Sequence, residues 1–366
     1  MIGGLAMKLM IALENVTMDG VKRASTVLGN ALVPYVDVIY FSLADAPRYF
    51  TLAAPLMIAD PPADPNLLNF FGDHPYQRYE PQIANMIDTI AEEHVDVVLL
   101  PAGLLTSFAP LIKKSLPRVR LIGWMHNNFA TYTEDYYGQM RGEFRDGLQA
   151  VDTLVVLTES DLQEYRQFNP HTVKRYNPIT LTPDHPANLT THRIAFTGRI
   201  AIKHKGIDLL LDAARSLSPG WQIAIAGGGT DKDMAEFHRL RQLWHLENVI
   251  DFRGPLHDDA LRDHYANAAI FVSTSRWEGM PLVIGEAMAA GLPIVAMRNT
   301  GSEEFLQADE YGLLAQPADV ADFSIQLARM TTSLALRQHY AYQSLRRAND
   351  FKLDVIVQQW LDLLQP

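Results

Sequence analysis

The 366-residue chain contains no cysteine. That excludes disulfides, thiolate zinc sites, iron–sulfur clusters and cysteine nucleophiles, and it fits a reducing cytoplasm. No apolar run nears the roughly 18 residues that would span a bilayer. There is no basic surplus either: 31 Lys and Arg stand against 42 Asp and Glu, a formal net charge of −11. The deficit is shared, with 14 basic and 20 acidic residues up to Pro178 and 17 and 22 after it. Neither half reads as a nucleic-acid binder. An anionic ligand must therefore be held by a few local cations and helix ends. The chain has no HExxH and no Gly-Lys-Ser/Thr phosphate loop. Its only Asp-x-Asp, Asp231 and Asp233, follows a glycine turn and reads as a helix cap, so no metal is expected. The start, MIGGLAMKLMIALEN, has no small-residue cleavage site and reads as a buried first strand rather than a signal peptide. On that reading the sequons at Asn15 and Asn188 carry no meaning.

What is present is the composition of a soluble globular protein, 48% apolar and 20% charged. The length exceeds what one core usually serves, so two domains are expected. Short β-rich runs alternate with longer helical ones, the signature of parallel α/β sheets. LMIALE, VDVIYF, VDVVLLP, RLIGWMH and DTLVVLT read as strands, with helices over 20–32, 81–93 and 133–149. Residues 45–78 are Pro-rich and aperiodic and read as a long loop with short elements. Residues 177–192 carry three prolines and read as a linker. The pattern then restarts with RIAFTG, WQIAIAGGG, VIDFRG, AIFVSTS and PIVAM as strands. The expected architecture is α/β: two Rossmann-like, doubly wound parallel-sheet domains, 1–178 and 179–345, facing a central cleft. A terminal amphipathic helix within 346–366 is expected to pack back on the first domain. Open sheets of this kind bind ligands at the carboxyl ends of their strands.

Four stretches at such ends could carry chemistry. RWEGMPLVIGEAMAAGLPIVA places Glu278 and Glu286 around the start of a helix from about 282 to 290. Pro281 suits its first turn, and the amides of 280–284 (Gly279, Met280, Pro281 and Leu282 lead in) make an anion site. Glu286 could accept from paired ribose hydroxyls and Glu278 from sugar hydroxyls; the plain alternative is a helix with favourable acids near its start. FTGRIAIKHKG puts Arg199 and Lys205 in one loop after Gly198, suited to a diphosphate, with Lys203 and His204 less well placed. The alternative is a solvated basic loop. IAGGG, with Gly227, lets a ligand approach the backbone. DFRGPL sets Arg253 and Gly254 at another strand end. Each of these two is weak alone.

Together the four stretches resemble the C-terminal domain of retaining GT-B glycosyltransferases of family 4, strongly over 193–316. The family's Glu-x7-Glu motif is matched by Glu278 and Glu286, and its diphosphate-binding Arg and Lys by Arg199 and Lys205. The resemblance implies that Glu286 holds the ribose and Glu278 the transferred sugar. In the first half, LENVTMDGVKR has one glycine, Gly20, where the family has a Gly-rich loop. Phosphate contact by Gly20 stays open, and an acceptor role for that loop is in doubt. His126, at the end of GWMHNNF, matches the family's histidine near the donor sugar. The implied chemistry is metal-free, retaining transfer of a hexosyl unit, by a same-face displacement assisted by the leaving phosphate. The expected donor is a UDP-sugar, with GDP or ADP sugars open. The expected acceptor is a glycan or lipid-linked sugar of envelope or exopolysaccharide synthesis, contacted by 45–78 and 132–137. Alternatives are a teichoic-acid-like polymer or sugar phosphate as acceptor, or a nucleotide-sugar-binding protein without transfer. The expected location is cytoplasmic. A peripheral membrane contact through 111–123, with Lys113, Lys114, Arg118 and Arg120, stands against the favoured reading of an ordinary helix end, turn and strand.

Overall fold

The computed structural model describes residues 7–67 and 69–365. The part of the expected first strand before residue 7 and the final residue of the expected terminal segment lie outside them. Two compact units result: one up to Pro178 together with Leu353 onward, the other Ile179–Lys352.

The first unit holds seven strands: β1 Lys8–Leu13, β2 Asp37–Ala44, β3 Leu56–Ala63, β4 Val97–Pro101, β5 Arg120–Trp124, β6 Thr153–Val156 and β7 Thr172–Lys174. They form one parallel sheet in the order β3-β2-β1-β4-β5-β6-β7. Leu9 to Leu13 of β1 are all buried, as expected of a parallel strand covered on both faces. Met10 and Ala12 join one core cluster, while Ile11 lies under the helix Gly20–Leu32, against Gly29. The helix Leu353–Leu364 belongs to this unit and packs on Gly20–Leu32. It buries Ile356, Val357 and Trp360, and Trp360 meets Trp124 edge-on at 4.9 Å. Residues 346–348, placed with this segment by the sequence reading, instead complete the preceding helix Leu334–Ala348.

The second unit holds β8 Arg193–Thr197, β9 Gln222–Ala226, β10 Ile250–Gly254, β11 Ile270–Ser273, β12 Ile294–Met297 and β13 Leu313–Ala315. Its parallel order is β10-β9-β8-β11-β12-β13. Both sheets therefore have the doubly wound order in which the chain leaves the first strand one way and the fourth the other. That opens a crevice at their carboxyl ends, between β1 and β4 and between β8 and β11.

Two expectations need correction. Residues 45–78 contain strand β3, hidden by Asp60-Pro61-Pro62 in its sequence. It is an edge strand, where missing amide donors are tolerated. The expected helix over 133–149 is broken into a π-helix Thr131–Tyr136, a 3-10 turn Gly138–Met140 and an α-helix Arg141–Ala150. The basic segment 111–123 has the favoured form of a helix end, a turn and a strand, with Lys113 and Arg120 bonded internally and Lys114 and Arg118 exposed. Lys113 donates to the carbonyl of Val119 and pairs with Asp152, both at 2.7 Å. Arg120 caps the terminal helix through the carbonyls of Leu363, Leu364 and Gln365. Among the described residues no helix is long and apolar enough to cross a membrane.

Candidate functional site

The β8/β11 crevice collects most of the candidate residues of the second unit. The loops after β8, β9 and β10 are laced by backbone bonds. Gly198 N–H donates to Ala226 at 3.0 Å, Gly227 N–H to Gly254 at 2.8 Å, and Ile200 N–H to Gly228 at 2.8 Å. Gly227 has to be glycine, because a Cβ there would strike the carbonyl of Gly198. Arg253 is exposed and pairs loosely with Asp251 at 3.7 Å.

After β8 the chain makes one short helix, Ile202–Lys205, and turns at Gly206 in the left-handed region, φ +61°. A side chain at Gly206 would collide with the carbonyl of Thr274, so the two strand-end loops touch here. Thr274 Oγ1 donates to the carbonyl of Lys205 at 3.0 Å. Arg276 forks onto Asp208 at 2.9 and 2.7 Å and also donates to the carbonyls of Ile202 and Lys203. Sequence reasoning missed this Arg276–Asp208 clamp. The signal was a lone arginine just past a buried strand end.

The clamp presents Lys205 to Glu278. Lys205 Nζ donates to Glu278 Oε1 at 2.5 Å, with both side chains largely buried. Burial alone would raise the Glu278 carboxyl. The Lys205 ammonium, then His204, with hydrogen bonds from Lys205 and Ser275, outweigh it and hold the group below the usual carboxylate range. His204 is better placed than its sequence position suggested. It stacks on Trp277 at 4.7 Å and 7°. Its Nε2 lies 3.0 Å from the Trp277 carbonyl and 3.8 Å from Glu278. Both neighbours are acceptors, so Nε2 carries the proton. Burial pushes this imidazole down to about 4. Arg199 is exposed, and no ion-pair partner is found for it among the described residues. Lys203 points outward to solvent.

Glu278 leads into Gly279, Met280 and Pro281, all buried, and then the helix Leu282–Ala289. Pro281 is the residue just before the helix rather than its first. Helix Thr300–Leu306 braces this turn: Gly301 packs so closely that a Cβ would press on Gly279 and Pro281. Glu286 sits deeper than the sequence suggested, with no exposed surface. Its Oε1 accepts from Thr180 Oγ1 at 2.5 Å and its Oε2 from Tyr265 at 2.9 Å.

Two candidates belong to the first unit. Gly20 is exposed and opens the helix Gly20–Leu32, and a Cβ there would meet nothing. The helix end is already capped: the Asp19 carboxylate accepts from the Lys22 amide at 2.8 Å and pairs with Lys22 Nζ at 2.7 Å. His126 follows β5 and packs on Trp124 at 4.2 Å. Its Nε2 is buried without a hydrogen-bond partner among the described residues, and burial lowers the ring to about 3.

A family model for "Glycosyl transferases group 1" matches residues 191–333, the span that builds the crevice just described. Amylovoran biosynthesis glycosyltransferase AmsD of Erwinia amylovora is 24% identical over 371 residues, covering 98% of this chain and 99% of its own. The chain is a glycosyltransferase of GT-B fold. Solved structures place the fold of the whole transferase. Sucrose-phosphate synthase from Thermosynechococcus elongatus superposes with TM-score 0.83 at 18% identity, over 98% of both chains. HepE from Anabaena, in complex with UDP, superposes with TM-score 0.79 at 18% identity, over 98% of this chain and 99% of that one. In this transferase Lys205, His204 and Glu278 meet at the carboxyl ends of the second sheet.

Proposed function

We propose that the enzyme is a retaining, metal-independent transferase that moves a hexosyl unit from a UDP-sugar to a glycan or lipid-linked acceptor in envelope or exopolysaccharide synthesis. The observation that carries this is the Lys205–Glu278 pair with Arg199 unpaired in the same loop, at the β8/β11 crevice. Arg199 supplies a cation with no ion-pair partner among the described residues, Lys205 the positioned one, and the amides of Leu282 and Val283 the helix-end dipole. Glu278 takes the sugar hydroxyls. Glu286 takes the ribose, which reaches it only when Thr180 gives up its bond. Gly198, Gly227 and Gly254 let the nucleotide lie against backbone. His126, neutral and unpaired at Nε2, gains a partner when a sugar hydroxyl is brought against it.

In the reaction the acceptor oxygen bonds to the anomeric carbon on the face the diphosphate leaves. The carbon–oxygen bond to phosphate breaks, and the acceptor proton passes to the departing phosphate oxygen. Arg199 and Lys205 stabilise the charge that develops there. The relative named for amylovoran biosynthesis supports the polysaccharide setting, and the UDP complex of HepE supports the base.

A thermal-shift panel without added metal tests the reading, using UDP, GDP, ADP, UDP-glucose, UDP-galactose, UDP-GlcNAc and GDP-mannose. A ligand bound only by the native state raises the melting point. A rise with the uridine set alone is expected. A rise with GDP or ADP compounds alone overturns the choice of base. Donor binding with no nucleotide release for any glycan acceptor would leave a binding protein instead.

A further inference from the structure

The broken helix of the first unit leaves an opening that the donor chemistry does not use. Where the sequence pattern predicts one helix, the π-helix Thr131–Tyr136 shifts the chain sideways before the helix Arg141–Ala150 begins. π-Helical turns account for well under 1% of residues and recur at functional sites. Beside this one lies a cavity of about 540 Å³, within the 300–1,000 Å³ range of small-molecule pockets. Phe129, Phe144, Leu148 and Phe168 line it, with Phe129 packed on Phe168 at 5.5 Å and on Tyr165 at 5.0 Å. Thr133, Glu134 and two arginines line its rim, so only water held against the phenyl floor lacks the two to four polar partners it needs.

Arg141 and Arg145, both exposed, also line it from successive turns of one helix face. Arg141 is steadied by its Nε, which donates to the carbonyl of Thr133 in the π-helix at 3.0 Å. Arg145 makes only a loose contact with the neighbouring Asp146, at 3.3–3.4 Å between exposed groups. Glu134 is the one acid of the lining. Both guanidiniums stand at the rim of an apolar floor, and the loose, exposed contact to Asp146 leaves Arg145 donors to spare for an anion. We propose that this pocket binds the alkyl chain of a phosphate-headed amphiphile, with the phosphate held by Arg141 and Arg145. The proposal rests on neither the donor site nor the acceptor assignment.

Gly142 offers a clean way to close the pocket. It lines the cavity, and a Cβ there meets nothing within 4 Å, so Gly142→Phe can fill the space without disturbing the backbone. The experiment is calorimetric titration with dodecyl phosphate below its micelle concentration, in the absence of nucleotide. Inorganic phosphate and dodecyltrimethylammonium serve as controls for head without chain and chain with the opposite head. One-to-one binding of dodecyl phosphate is expected, at least tenfold tighter than the ammonium amphiphile and with no binding of inorganic phosphate. Gly142→Phe should weaken dodecyl phosphate at least tenfold with an unchanged or higher melting point. The Arg141→Ala/Arg145→Ala pair should bring the two amphiphiles to equal affinity. No binding to the native chain, equal binding of both heads, or full affinity in a folded Gly142→Phe protein each overturns the proposal.

Discussion

Each sheet ends one strand beside its crevice with a glutamate, and the two glutamates are opposites. Glu278 follows β11 in the second unit with Lys205 in contact, and stays ionised below the usual range. Glu14 follows β1 in the first unit. Its Oε2 accepts from the Phe70 amide at 3.1 Å. The nearby Lys22 is bonded to Asp19. Burial dominates, and the Glu14 carboxyl rises to about 7. Glutamates on opposite sides of equivalent crevices, one after a first strand and one after a fourth, thus yield a fixed anion in one unit and a group near its midpoint in the other. A contacting cation makes the difference, and a fixed anion beside positioned cations suits a ligand of constant charge.

Removing that cation should produce the largest effect. Lys205→Ala leaves Glu278 buried without its partner, a loss of about 3–5 kcal/mol, read as a lower urea midpoint. Transfer should fall roughly 100-fold or more as leaving-group stabilisation goes. If Lys205→Ala/Glu278→Ala is no more stable than Lys205→Ala alone, the pair is not coupled and the comparison fails. Glu286→Ala comes next. It strands the hydroxyls of Thr180 and Tyr265 at a cost of about 1–3 kcal/mol, and it should weaken UDP in a binding titration. Unchanged UDP affinity would remove the ribose role.

Acidification gives a third effect. His204 and His264 lie near 4 and His126 near 3 when folded, each lowered by burial. The unfolded chain protonates these rings through about 6.5, so it binds more protons than the folded chain below that pH. Stability should therefore fall from about pH 6.5 toward 4. Glu278 adds a loss below its ordinary value near 4.5. Glu14 works the other way: folded, it holds a proton up to about 7, so it costs stability as pH rises from 4.5 to 7. In Glu14→Gln, unfolding midpoints followed over pH 4.5–7 should show a steeper rise than in the parent. A parallel curve would place Glu14 among ordinary carboxylates. Arg199→Ala should be the mildest for folding: an unchanged midpoint, with donor affinity and transfer reduced together. Normal turnover would remove Arg199 from the phosphate site.

The sequence showed the cations and acids of the second unit because they sit at strand ends, where alternation between apolar runs and loops locates them. It did not show what they touch. The partners of Glu286 come from 106 and 21 residues away, and the Arg276–Asp208 clamp spans 68; no local pattern encodes such pairs. The break at 131–140 was illegible for another reason. The helical period continues through it, and the contacts that go with the irregular path, Tyr132, Tyr137 and Phe144 against one another and the Tyr137 hydroxyl on the Gly103 amide, are not written in a local pattern. Strand β3 was masked because prolines ordinarily argue against a strand, and its place at the edge removes that objection.

The terminal helix has a consequence for how the chain is made. The first unit lacks Trp360, a ring buried against Trp124, until Leu353–Leu364 has been synthesised. The second unit is one uninterrupted stretch, Ile179–Lys352. Its full set of residues leaves the ribosome before the first unit has its own. Translation usually lets the amino-terminal domain mature first; here residues 353–364, which complete the first unit, are made after every residue of the second.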